Sequence, residues 1–318
     1  MKSLLRISVI PFLLLFAVAV MADANYSGKK ILFIDSYHAG FEWSDGIIQG
    51  AKDVLKGTGV ELKVVHMDTK RNTSETFIKA KALEVKSTIE QFKPDVLIAS
   101  DDNASKYVIV PYYRDTDLPV IFCAVNWDAS TYGFPTKNVT GMVEVTLVPE
   151  IVRHLKYYAD GDDIGFIGAN TLTARKEYDN HRDLLGIDYK KAYFARNFHE
   201  WKEMFIKLQS EVDMAIMLNQ VGISGWNDAE AIRFVEDNTR IPVGSWNRWV
   251  MPYSLLGVTN IPAEQGSWAA QAALKVLEGV PPSKIPLTHN KEGKLFFNPR
   301  IGKRLGIQTP PPFATISD

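Results

Sequence analysis

Cysteine is nearly missing from this chain. Of 318 residues only Cys123 carries a thiol, so no disulfide can close within the chain. It sits inside the apolar run Val120–Val125 and reads as a small buried hydrophobe. Net charge is close to missing as well. Thirty-six Lys and Arg face 37 Asp and Glu, a formal −1. Such a balance gives no electrostatic footprint for nucleic acid or for an anionic membrane face. Chemistry-bearing motifs are also scarce. There is no HExxH, no CxxC and no acidic calcium loop, and the six histidines show no ligand spacing, so no metal site is expected. Gly165 and Gly168 do not make GxGxxG, no Walker A sequence occurs, and no cofactor is expected. Val221-Gly222-Ile223-Ser224-Gly225 is GxSG rather than the GxSxG of a nucleophile elbow. With no nucleophile–base pair in view, an exported hydrolase is the weakest reading, and the chain is expected not to be an enzyme.

Long apolar runs are confined to one place. Lys2 and Arg6 precede the run Ile7–Met21, and Ala22-Asp23-Ala24 puts small residues at −3 and −1. That is the pattern of a cleaved secretory signal over residues 1–24. No cysteine follows it to take a lipid, and no other segment offers the ~20 apolar residues a spanning helix needs. A soluble protein of the periplasm or the extracellular space is expected. The remainder exceeds the usual size of one core, so two lobes are expected.

Strand-like and helix-like segments alternate to the end. Lys30–Ser36, Val60–His66, Asp95–Ala99 and Pro119–Val125 read as strands, separated by helical stretches at Asp45–Lys56, Ser74–Phe92 and Asp102–Tyr113. Ser74 is a plausible N-cap. After the turn-rich Trp127–Lys137 and the extended Asn138–Val145 a second series begins. It has strands at Asp163–Gly168, Tyr189–Ala195, Val212–Leu218 and Ile241–Gly244, with helices at Leu147–Tyr158, Leu172–Leu185, Phe198–Ser210 and Asp228–Asn238. A last helix is expected at Pro262–Gly279, and the tail 280–313 shows little pattern. The fold class is α/β: two doubly wound, parallel-sheet lobes. The expected division assigns 25–124 plus 261–279 to the first lobe, 125–141 to a crossing loop, and 142–256 plus 280–318 to the second lobe and a crossing tail.

In open parallel sheets ligands gather outside the carboxyl ends of the strands. Those ends offer Ser36, Tyr37 and nearby Trp43; Ser100, Asp101 and Asp102; Asn126 and Trp127; Asn170 and Thr171; Asn219 and Gln220; and Ser245 and Trp246. These fourteen are the candidate ligand contacts. Five of seven tryptophans (Trp43, Trp127, Trp226, Trp246, Trp249) fall in loops after strands, which suits a pocket that stacks on a flat or apolar ligand. Asp101-Asp102 admits three readings: caps of the following helix, a contact for a ligand ammonium, or acid–base work. Asn170, Thr171 and Ser245 could bind a carboxylate or merely cap helices.

Leu118–Val143, with its PVIF strand and NVTG segment, resembles the stretch of ABC-transporter substrate-binding proteins of the tryptophan/tyrosine type that joins their two lobes. Phe297-Asn298-Pro299-Arg300 … Leu305-Gly306-Ile307, Ile241-Pro242-Val243 and Gly279-Val280-Pro281-Pro282 fall in that family's order. In place of its usual "DPV..GLV" this chain has the bulkier Asn126-Trp127-Asp128-Ala129-Ser130-Thr131-Tyr132-Gly133. The resemblance implies a type I periplasmic-binding-protein fold with a three-segment hinge. It implies capture of a small organic ligand by hinge closure, for instance an aromatic amino acid. The partners it implies are ABC permease subunits, or a sensor histidine kinase instead, with a monomer as the expected state.

Overall fold

The computed structural model describes residues 26–317. The signal segment expected at 1–24 lies outside them. Among the described residues no helix is long and apolar enough to cross a membrane.

The first series runs β1 (Lys30–Asp35), α1 (Glu42–Leu55), β2 (Glu61–His66), α2 (Glu75–Phe92), β3 (Val96–Ser100), α3 (101–112), β4 (Val120–Asn126) and β5 (Val139–Glu144). The second runs α4 (Val148–Leu155), β6 (Ile164–Ala169), α5 (Leu172–Asp183), β7 (Tyr189–Ala195), α6 (Phe198–Leu208), β8 (Met214–Met217), α7 (Asp228–Asn238), β9 (Val243–Ser245) and β10 (Leu256–Asn260). Then follow α8 (Pro262–Leu277), β11 (Thr288–His289), β12 (Gly293–Phe297), α9 (Pro299–Arg304) and β13 (Thr315–Ile316). Two sheets result, ordered β11-β5-β4-β3-β1-β2 and β13-β12-β10-β9-β8-β6-β7. All pairings are parallel except β10 with β12.

Both faces of the first sheet are covered, so its strands read as unbroken apolar runs rather than alternating ones. Leu32, Ile34 and Leu97 pack under α2 and α3, while Ile31, Phe33 and Ile98 pack under α1 and α8. Helices α1 and α8 touch backbone to backbone: a Cβ on Gly266 would lie 1.7 Å from the Ile47 carbonyl oxygen. The second lobe has one large core around Phe166, Phe205, Trp201 and Ile216. Caps follow side-chain chemistry. Ser74 accepts from the Phe77 N–H, and Asn197 and Asn227 start α6 and α7 in the same way.

Two expectations are corrected. Residues 125–141 are not a crossing: β4 extends to Asn126 and β5 returns beside it in the first sheet. The short apolar segment at 139–144 carries no mark of which sheet it joins, and only the pairing decides. Gly141 permits that pairing, since a Cβ there would strike the Phe122 carbonyl oxygen at 2.3 Å. The chain passes between sheets at 145–147, again at 261, and again at 290–292. The tail is also more ordered than its composition suggests. β11 joins the first sheet and β12 and β13 the second, with β10 an unforeseen strand that pairs with β12.

Candidate functional site

The carboxyl ends of the two sheets face one another, and a cavity of about 350 Å³ lies between them. Trp43 comes from the first turn of α1, Asn126 and Trp127 from the end of β4, and Glu144 from the end of β5. Opposite are Glu177 of α5, Trp246 to Trp249 after β9, and Thr259 and Asn260 at the end of β10. Val145 and Thr146 of the first crossing also line the cavity.

Local backbone geometry aims Trp127. β4 slips register between Phe122 and Val125, and Ala124 there has φ +56°. The buried Gln265 of α8 accepts the Ala124 N–H at 2.9 Å and so fixes this bulge. Bulges bend a strand and re-aim its end. Trp127 itself has φ +60°, a conformation that costs a non-glycine residue about 1–3 kcal/mol. Its N–H donates to the Glu144 carbonyl at 2.9 Å, and its indole Nε1 reaches across the cleft to Glu177 Oε1 at 3.4 Å. His181 lies behind the aromatic wall, 4.8 Å from the Trp246 ring and 5.8 Å from the Trp127 ring.

The acids of this region are perturbed. Burial pushes the Glu144 carboxyl up to about 7. The Asn260 amide, donating at 3.1 Å, opposes the rise, while the charges of Asp102 and Glu177 add to it. Burial raises Glu177 too, against the Trp127 hydrogen bond. Glu177 Oε2 is out of solvent and has no hydrogen-bond partner; His181 Nε2 lies 3.9 Å from it. Burial drives His181 down to about 3, so this imidazole is neutral.

Of the fourteen candidates, Trp43, Asn126, Trp127 and Trp246 line the cavity. The others serve the scaffold around it. Ser36 donates to the Ser100 carbonyl and accepts from the Ala104 N–H, clamping β1 to α3. Ser100 donates to Asp101, which is buried at φ +68° with its carboxyl held far above the usual range by burial and then by the charge of Glu144. Asp102 accepts from Asn126 and from Tyr132. Tyr37 stands beside these acids, its phenol raised by burial and by their charge. Thr171 caps α5 by accepting the Ala174 N–H, and Asn170 accepts from Arg175. Asn219 donates to Asn247 at 3.3 Å, and Ser245 accepts the Asn247 N–H, together shaping the loop that carries Trp246. Gln220, with a buried unpartnered Oε1, is outside the cavity lining. Trp226 packs instead against Trp201 and Phe198 in the second lobe. Reasoning from strand ends missed Glu144, Glu177, Asn247, Arg248 and Asn260.

A family model described as "ABC transporter substrate binding protein" matches residues 42–315, and the chain belongs to that family. Its fold is type I periplasmic-binding-protein-like. It is similar to a ligand-free, open substrate-binding protein with adhesive properties from Clostridium difficile, at TM-score 0.68 and 17% identity, covering 91% of this chain and 99% of that one. It is also similar to an ABC domain in complex with L-Trp from Streptococcus pneumonia, at TM-score 0.52 and 18% identity, covering 91% and 99%. A third is a periplasmic ribose ABC transporter from Conexibacter woesei, at TM-score 0.55 and 18% identity, covering 90% and 97%. Comparison with curated proteins finds no match.

Proposed function

We propose that this chain is an exported solute-binding protein that captures a small organic molecule between its lobes and presents it to the membrane subunits of an ABC importer. The observation that carries the reading is the cavity at the facing strand ends, walled by Trp43, Trp127, Trp246 and Trp249. On this reading residues 1–24 are removed on export and the mature monomer works in the periplasm. The crossings at 145–147, 261 and 290–292 act as the hinge. Ligand favours the closed arrangement because only there do both lobes touch it, which shifts a pre-existing equilibrium.

A thermal-shift and fluorescence panel of residues 25–318 against amino acids, amines, sugars, nucleosides and organic acids tests this. Binding to the native state alone raises the melting temperature as RT ln(1 + [L]/Kd). One compound class is expected to raise it and to change tryptophan emission. A panel in which nothing does either would count against the reading.

A further inference from the structure

We propose that the cleft selects an organic cation, a small molecule with a protonated amine and no balancing carboxylate, and holds the ammonium between Glu144 and Glu177 inside the tryptophan wall. The inference rests on the reading of this cleft as the ligand site.

The charges on the cavity wall are unbalanced. Glu144 and Glu177 both line it, and Asp102 stands directly behind Asn126. Arg248 is the lone basic residue among the lining residues; it is exposed, and its guanidinium lies 5.8 Å from the Phe296 ring, toward a neighbouring surface. No lysine or arginine is paired to either glutamate among the described residues. Other groups near them are Asn260, Trp127, the uncharged His181, the Tyr37 phenol on the first lobe and the Asp101 carboxyl, which burial and then the charge of Glu144 hold well above the usual carboxylate range.

A carboxylate removed from water without a partner is costly, and Glu177 Oε2 is in that position. A ligand ammonium supplies what is missing, as three N–H donors and a positive charge. Trp127 and Trp246 add the negative ring faces that attract such a group. A ligand carboxylate would meet the same two acids and be repelled, which is discrimination by a repulsive element. The raised carboxyl of Glu144 fits this arrangement. A cation favours its ionised form, so binding near neutral pH should expel a proton and tighten as pH rises through 7.

The test is calorimetric titration of residues 25–318 with two matched sets, each an amine, its amino acid and its acid. One set is tryptamine, L-tryptophan and indole-3-propionate; the other is 3-methylbutylamine, L-leucine and 4-methylpentanoate. In at least one set the amine should bind best and the acid not at all. Glu177→Gln and Glu144→Gln should each weaken the amine by roughly thirtyfold or more, the effect of truncating one partner of a buried charge pair. The heat of binding should depend on the buffer's ionisation enthalpy, and affinity should rise from pH 6 to 8. Melting curves establish that both variants fold, each at least as stable as the parent without ligand. An amino acid or acid binding as tightly as its amine, or an amine indifferent to both substitutions, would overturn the charge assignment and leave the cleft reading intact. No binding by either amine also overturns it; if the broad panel is silent too, the cleft reading falls with it.

Discussion

Asn290 holds both polar groups of Val145. Its Oδ1 accepts the Val145 N–H at 2.8 Å, and its Nδ2 donates to the Val145 carbonyl at 3.1 Å. Asn260 donates to that same carbonyl at 3.0 Å. Val145 lies on the first passage between the lobes, Asn260 borders the second and Asn290 lies on the third. Val145 is thus bonded to both other segments of the connection, which would give the proposed hinge a fixed pivot.

Replacing Asn290 with Ala leaves the buried Val145 N–H unpaired. An unsatisfied buried group costs about 1–3 kcal/mol, and a chain of this size loses roughly 2–4 °C of melting temperature per kcal/mol. Thermal melting should fall accordingly. Small-angle scattering of the ligand-free variant should show a broader spread of lobe separations than the parent.

Gly266 sits where α8 crosses α1. Adding one methyl group there meets backbone, the Ile47 carbonyl, rather than a side chain that can swing away. Gly266→Ala should therefore force the helices apart and destabilise the first lobe by about 1–3 kcal/mol, the usual range for overpacking. Urea denaturation followed by tryptophan fluorescence measures it. An unchanged midpoint would mean that the helices separate freely.

How much of this was legible in the sequence depends on the kind of signal. The α/β alternation was, because buried parallel strands are continuous apolar runs; Tyr189–Ala195 and Asp228–Asn238 are found at those bounds. Four of the five tryptophans placed after strands line the cleft, because a strand end is a position that sequence can mark. Glu177 was not legible: it is inside α5, on a face that only the opposing lobe defines. Glu144 escaped for another reason. Its segment carries no trace of joining β4, so it did not read as a strand end. Asp101 was read as a cap, an ammonium contact or an acid–base group; the structure buries it behind the site, where it accepts from Ser100.

Trp127 and Trp201 separate binding from folding. Trp201 is buried in the second lobe, with Phe205 and Trp226 at 5.2 and 4.8 Å. Trp201→Ala should lower stability by about 3–5 kcal/mol, as large aromatic truncations in cores do, and spare the affinity of the molecules that still fold. Trp127→Ala should do the reverse. It removes a cleft wall and the interlobe contact to Glu177, so ligand affinity falls while the melting temperature of the free protein changes little. Equal loss of affinity in both variants would contradict a ligand site at Trp127.

Two buried groups set opposite limits on stability with pH. Burial raises the Glu144 carboxyl from 4.5 to about 7. The folded state then binds more protons than the unfolded chain between those values, so stability falls as pH rises from about 4.5 through 7, by at most ~3 kcal/mol. Burial lowers His181 from 6.5 to about 3. Here the unfolded chain binds more protons, so stability falls as pH drops from about 6.5 toward 3, by at most ~5 kcal/mol. Glu144→Gln should raise the melting temperature of the ligand-free protein at pH 8 and leave it nearly unchanged at pH 4. His181→Gln, which removes the proton site, should flatten the acid side of the profile without touching the alkaline side. At pH 4 folded His181 is still neutral, whereas Glu144, raised to about 7, is already protonated, which on the reading of the cleft as a cation site removes the negative charge that holds the ligand. Ligand release on acidification should therefore precede global unfolding, which stopped-flow fluorescence at pH 4 would detect as two separate phases.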